Sequence, residues 1–506
     1  MADILTLPRK KARGWKAGRV DMIRSDWPAR SRLPDNDIRN ALPFLRARAR
    51  HEAQNNDHAR GFLREVKTNV VGPRGISLQS KARNGNRQDK RVQSVIEESW
   101  KEWGELGSCD VTGRLAWTDI QLQAIETVAR DGEAVYRMVD GWDNSYGFAL
   151  QAIDPELLDV QYNVAAKGEG NSVVMGIELD MWGRHVAYYF TEPDQSRFVY
   201  RTERKRKRVD AKEIVFVHLP EWMCQTRGVP WMATALRRLN DLEGYDESAV
   251  VAARSGAAKM GFYKQTEDAQ PILTEAGESE SGLTDGEDSG GQLFQSFEPN
   301  SIGILPFGVE FQGWDPSYPH SEHGNFTKAV LRGIATGLGV SYNTLANDLE
   351  GVNYSSLRAG AIVERAAWML LQEWFIRSFH TPIFNKWIGN SLSVGALVDP
   401  RGRPLRLERE REFRRVHWQA RRWQWVDPLK ESQAAEKEIG LRIRSISSVI
   451  RERGEDPETV WEEIKAEREQ LEALGIEPSE AMAAAQVVPV TEDEDETDGD
   501  DVETEE

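Results

Sequence analysis

The chain has 506 residues, 40% hydrophobic and 29% charged, which is enough for a sizeable core and, at ~150 residues each, roughly three domains. Its net charge of −17 is uneven: "TEDEDETDGDDVETEE" at the end holds eleven acidic and no basic residues, leaving about −6 elsewhere, a mildly acidic body that is not the footprint of a protein gripping nucleic acid with a dense Lys/Arg surface. Two distant cysteines, Cys109 and Cys224, exclude a disulfide framework and suit a reducing cytosol, and no run of ~18 apolar residues marks a membrane span.

Residues 1–42 read as a basic, irregular arm without the apolar core of a signal peptide, so the expectation is a protein made and kept in the cytosol. A helix is expected from about Pro43 to Gly72-Pro73. "KRVQSVIEESWKEWGE" is a second helix, and "AWTDIQLQAIETVARDGEAVYRMV" begins a third, capped by Thr118 or Asp119 and closed by Asp131-Gly132. The period then changes. "EAVYRMV", "FALQAID", "VVMGIELD", "HVAYYF" and "EIVFVHL" are short, β-branched and aromatic, so residues 130–220 read as sheet-rich. The basic run "RTERKRKR", 201–208, reads as a solvated hairpin tip in preference to a nucleic-acid patch.

Pro230 opens a helix carrying Leu236, Leu239 and Leu242, whose second half is small-sided. Residues 265–292 are acidic and Gly/Ser-rich and interrupt two strand-like stretches, so they read as a loop inside an inserted β unit. A further helix starts near His320. Phe326, Val330 and Ile334 form its buried row, and Lys328 and Arg332 a basic side about 200° around from that row. The loop ending in "GVNYSS" leads into a long helix with Leu357, Ala361, Trp368, Leu371, Phe375 and Phe379 in register, capped by Ser355 or Ser356 and broken by Pro382. Two or three short helices follow, one starting at Asp456-Pro457, and the acidic tail is disordered by composition.

Chemistry is hard to find. There is no G-x-x-x-x-G-K-[ST], H-E-x-x-H, C-x-x-C or G-x-S-x-G. His320, Glu322 and His323 fit a polar turn better than a metal site, and the seventeen tryptophans fit core and interface anchors. The expectation is no enzyme, no cofactor and no metal.

Several long stretches carry a resemblance: "WTDIQLQAIETVARDGEAVYR", "LQAIDPELLD", "QTRGVPWMATALRRLNDLEGYDESAVVAARSGAAKMGF", "ILPFGVEFQGWDPSYPHSEHGNFTKAVLRGIATGLGVSYNTLANDLEGVNYSSLRAG" and "WQWVDPLKE". In this order, from about residue 20 to about 470, they resemble the lambda-type portal proteins of tailed bacteriophages. The resemblance implies an α+β subunit with wing, stem, clip and crown. It also implies a homo-oligomeric ring, typically of twelve, at one capsid vertex. DNA would enter that ring under the large terminase subunit and later leave through it. Further implied partners are major capsid and scaffold proteins, head–tail connector proteins and passing double-stranded DNA that is not held tightly, with no membrane. The implied location is the portal vertex of the virion, and the host cytoplasm during assembly.

Laid on this chain, the resemblance divides it into an arm (1–42), wing (43–230), first stem helix (231–257), clip (258–318), second stem helix (319–339), tunnel loop (340–354), long wing helix and wing (355–429), crown (430–475) and tail (476–506). Ala249, Ala253, Gly333 and Gly337 would then give small faces for neighbouring subunits. Lys328, Arg332, Asn347, Asn353, Tyr354 and Ser355 would face the channel. Two other classes remain in view: a metal-dependent nuclease using Asp348 and Glu350, and a sequence-tolerant DNA-binding adaptor using the arm and "RTERKRKR".

Overall fold

The computed structural model describes residues 32–85, 87–166, 168, 170–191, 205–257, 261–265, 286–287, 293–294, 309–313, 323–350, 353–423 and 428–474. The fold is α+β. Helix α1, Pro34–Asn55, starts nine residues before the expected Pro43. Pro34 takes the first-turn position, where a missing N–H costs nothing, whereas Pro43 lies inside the helix and is carried by the buried face of Ile38, Leu42 and Arg46. The expected single helix is two, because Asn56 ends α1 and caps α2, Asp57–Val70, accepting from the N–H groups of His58 and Ala59. Strands β1 (Ser77–Ser80), β2 (Arg83–Asn84) and β3 (Arg87–Gln88) lead to α3, Lys90–Trp103. Helix α4, Trp117–Asp131, starts one residue before the expected caps. Ala116 is its cap position, and Asp119 reaches back to accept from the Ala116 N–H at 3.0 Å.

The sheet-rich part is two sheets. Strands β4 (Glu133–Asp140), β5 (Phe148–Ile153) and β10 (Ile214–His218) form an antiparallel sheet ordered β10-β4-β5. Strands β6 (Ser172–Val174), β7 (Ile177–Leu179), β8 (His185–Thr191) and β9 (Arg206–Asp210) form an antiparallel meander. Of the basic run, residues 201–204 lie outside the described residues. Its end is strand β9, where Arg206 pairs with Asp159 at 2.7 Å and Arg208 with Glu178 at 2.8 Å.

Helix α5, Leu236–Ala257, is shorter than expected. Residues 231–235 are successive turns, with the Ala233 N–H donating to Pro230 O at 2.9 Å, so Pro230 precedes the helix rather than opening it. Strands β11 (Gly261–Gln265) and β14 (Val309–Gly313) pair antiparallel, enclosing the short β12 (Gly286–Glu287) and β13 (Leu293–Phe294). The rest of the 265–292 insert, and the tail from 475, lie outside the described residues. Helix α6 is His323–Leu338, and the following loop contains a turn of helix, α7, Tyr342–Ala346.

Helix α8, Tyr354–Phe375, does not stop at Pro382. Residues Ile376–His380 form a π-turn that runs directly into α9, Thr381–Val394. The π-turn resets the register, so Pro382 falls in a first turn, where its ring is tolerated. Helix α10, Glu410–Phe413, and strand β15, Val416–Gln419, follow. Strand β15 pairs antiparallel with β1, placing Leu78 opposite Trp418 and joining segments more than half the chain apart. Helices α11 (Pro428–Gly440), α12 (Ile446–Glu452) and α13 (Pro457–Ala473, capped by Asp456) complete the described chain.

The main core gathers the tryptophans of three helices and a strand. Trp117 stacks on Phe379 at 5.6 Å, Trp100 meets Trp387 edge-on at 5.0 Å, and Trp418 meets Trp100 edge-on at 6.0 Å. Trp103 is fully buried and donates its indole N–H to Phe148 O at 2.9 Å, so its one polar atom is satisfied.

A second device joins α1, β4 and the turn before α5. The fully buried Glu133 carboxylate accepts from Arg46 at 2.9 Å, from Arg227 Nε at 2.9 Å and from the Gly228 N–H at 3.1 Å. Burial works to raise its pKa, but the Arg227 and Arg46 guanidiniums outweigh burial and hold it below the usual carboxylate range. Gly132 and Gly228 make this approach achievable. A Cβ on Gly228 would meet Gly132 O at 2.0 Å, and one on Gly132, whose φ is +90°, would meet Val229 C at 2.5 Å.

Candidate channel segment

The segment singled out by the sequence runs from α6 through the 339–353 loop into the start of α8. Helix α6 is set against α5 and the turns before it. Thr234 Oγ1 donates to Gly337 O at 3.1 Å, and the Arg238 guanidinium lies over Gly333, where an added Cβ would meet Nη1 at 2.2 Å. Within the chain, Gly333 and Gly337 allow α6 to approach Arg238 and Thr234 closely. Ala249 is likewise buried within the subunit, and Ala253 is half-buried. At the other end of α6, His323 stacks on Tyr245 at 5.3 Å, and Phe326 meets Tyr245 edge-on at 5.0 Å. The buried face of α6 is Leu331, Ile334, Ala335 and Leu338. Ile334 was expected there, whereas Phe326 is 51% exposed.

The basic side of α6 folds back on the loop. Lys328 Nζ lies 3.4 Å from Asp348 and 3.7 Å from Glu350, and the Arg332 guanidinium sits over the Tyr342 ring at 5.4 Å. The Tyr342 hydroxyl donates to Asp348 Oδ2 at 2.8 Å. That bond, then the Glu350 N–H and Lys328, hold the Asp348 carboxyl below its ordinary pKa. Both carboxylates are thus partnered by Lys328, a poor arrangement for a nuclease that must offer them to a metal. Among the described residues, no group of three or more His, Cys, Asp and Glu side chains is placed to hold a metal; His320 and Glu322 lie outside them.

Turn α7 is built by its own side chains. Ser341 caps it, and Thr344 Oγ1 donates to Glu364 on α8 at 3.1 Å, tying the loop to the long helix. Asn347 closes the turn in the left-handed region, φ +51°, which asparagine tolerates. The cap of α8 is a correction: Asn353 Oδ1 accepts from the Ser356 N–H at 2.8 Å, so Asn353 is the N-cap and Tyr354 the first helical residue. Ser355 and Ser356 lie inside the first turn with exposed side chains. Asparagine competes equally with serine at this position, and the chain enters the helix earlier than the two serines suggest. The tie from Lys328 to Asp348 and Glu350 was not legible from sequence, since it depends on the loop turning back along α6. The Asp348-x-Glu350 pair was its only visible trace.

Residues 21–372 match the family model described as phage portal protein, lambda family. A probable portal protein of Halomonas phage phiHAP-1 is 35% identical over 494 residues, covering 96% of this chain and 92% of that protein. Portal protein B of Escherichia phage lambda is 21% identical over 425 residues, covering 79% of this chain and 78% of that protein. Among solved structures, a chain from the neck of an empty GTA particle is 13% identical, covers 81% of this chain and 93% of its own, and superposes with a TM-score of 0.42. The family match spans α5, α6, the loop after α6 and most of α8, and on it this chain belongs to the lambda family of phage portal proteins.

Proposed function

We propose that this chain is the repeating subunit of a ring, typically of twelve, that forms the DNA channel at one capsid vertex. The observation that carries the reading is the family match over residues 21–372, which spans the α5–α6 pair and the loop after it. Terminase drives DNA in through the ring, head–tail connector proteins dock afterwards, and DNA leaves by the same route. Major capsid and scaffold proteins surround it during assembly in the host cytoplasm. The role is structural, with no reaction of its own.

In this reading α5 and α6 are the stem, the β11–β14 unit the clip, the 340–354 loop the tunnel loop, and α11–α13 the crown. Charge supports it. The two cations expected to face the channel, Lys328 and Arg332, are already engaged by the loop's own carboxylates and ring, which lowers their grip on passing phosphates. Exposed apolar side chains support a ring: Ile362, Val363 and Leu370 on α8, and Val250 and Val251 on α5. No described helix is long and apolar enough to cross a membrane.

The test is electron microscopy of the purified protein with its solution mass. Rings with a central hole are expected. A species that stays a compact monomer with scaffold and capsid protein present removes the proposal.

A further inference from the structure

Helices α11–α13 have almost no core of their own. Across residues 428–474, all of them described, Ala435 and Pro457 are the only buried apolar residues. The corner between α11 and α12 instead exposes Leu441, Ile443 (76%) and Ile446. The corner is not loose, because Arg444 pairs with Glu438 at 3.1 Å and with Glu452. Helix α13 starts from a fixed base. Asp456 caps it, and just before it the Gln419 side chain of β15 donates to Arg451 O at 3.1 Å. From Trp461 to Ala473, however, every residue but the half-buried Leu471 is exposed. More than three turns thus run without cover from any described part of the subunit, although a helix this short draws most of its stability from packing one face. Trp461, Ile464 and Leu471 lie within about 80° of one another around α13, so they form one apolar stripe.

Charge indicates what covers each face. Helix α13 carries six glutamates against Lys465 and Arg468, and Glu467 and Glu472 flank the stripe. The corner and α12, residues 441–453, carry four arginines against the single Glu452. Two copies meeting by like faces would set glutamates against glutamates, or arginines against arginines. Unlike faces bring the acidic helix of one copy to the basic corner of another, apolar stripe on apolar corner. Each subunit offers one face of each kind, so the contact is head-to-tail and can close into a ring.

We infer that the α13 stripe of one subunit packs on the Leu441–Ile443–Ile446 corner of the next. This rests on the ring reading above and adds which faces meet. The contact orders α13, which then stands as one member of a continuous helical layer around the ring.

Single cysteines test the pairing in a Cys224→Ser chain, where the remaining Cys109 is buried and unreactive. Chains carrying Ile443→Cys are co-assembled with chains carrying Ile464→Cys, checked for rings by electron microscopy and treated with a short bis-maleimide. Crosslinked dimers are expected in mixed rings at a yield at least about fivefold above that of either variant assembled alone. An equal yield from either variant alone would mean that like faces meet, and would overturn the inference. Mixed rings that give no dimer also overturn it while leaving the ring reading intact. Arg442→Cys with Glu467→Cys, a pair that keeps every apolar side chain, repeats the experiment and is read in the same way. Failure of the unsubstituted chain to form rings removes both readings.

Discussion

At the scale of single residues, stability rests on buried ionisable groups and on whether they find partners. Glu133, Arg46 and Arg227 are all essentially inaccessible, and each guanidinium also bonds main-chain carbonyls, Arg227 to Met175 O at 2.7 Å and Arg46 to Asp131 O at 3.2 Å. Removing one partner strands a buried charge, so Arg227→Met should cost about 3–5 kcal/mol, read as a lower urea midpoint. Nothing in the local sequence distinguishes Arg227 from a surface arginine. His380 is the opposite case. It is fully buried beside Trp117, Phe375 and Trp418, and burial lowers its pKa from 6.5 to about 3. The folded chain keeps it neutral, while below pH 6.5 the unfolded chain takes up the proton. Stability therefore falls as pH drops from 6.5 towards 3, by at most about 1.4 kcal/mol per pH unit for one proton. His380→Phe should shrink the difference between urea midpoints at pH 7 and pH 5; an unchanged difference would assign the acid sensitivity to another group.

At the scale of elements, the informative places are where helices start and are joined. Several boundaries moved from expectation, among them these: α1 begins at Pro34, α5 follows a run of turns, α8 is capped by Asn353, and α8 passes through a π-turn into α9. At α1 and α8 the shift has a local chemical cause: Pro34 suits a first turn, and the Asn353 side chain caps the Ser356 N–H. Asn353→Ala should cost about 1 kcal/mol of stability by leaving the first-turn N–H groups unpaired, whereas Ser355→Ala and Ser356→Ala should cost a few tenths at most. Thermal denaturation of the three variants side by side separates these positions. Equal losses at all three would return the cap to the serines.

At the scale of the whole molecule, the exposed apolar side chains of α8 lie on a helix that a lone subunit leaves half uncovered. Val363 is 72% exposed and Leu370 71%, seven residues apart and so on nearly the same face. Val363→Asp with Leu370→Asp should leave the subunit folded by circular dichroism but abolish rings in solution-mass measurements. Rings that persist in the double variant would place the subunit contacts elsewhere.

Sequence alone determined the order of parts, the α+β class and the family resemblance, because hydrophobic period and collinear motifs are local and survive in a one-dimensional reading. The stretches that became β4 and β5 were legible as strands for the same reason, though their pairing was not. Tertiary structure alone decided the pairing of β1 with β15, the buried Glu133–Arg46–Arg227 cluster, the intrachain use of Gly333 and Gly337, and the tie from Lys328 to Asp348 and Glu350. Each of these joins residues from separate elements. Their energies depend on desolvation and on close approach of backbones, and neither quantity exists until the chain has folded.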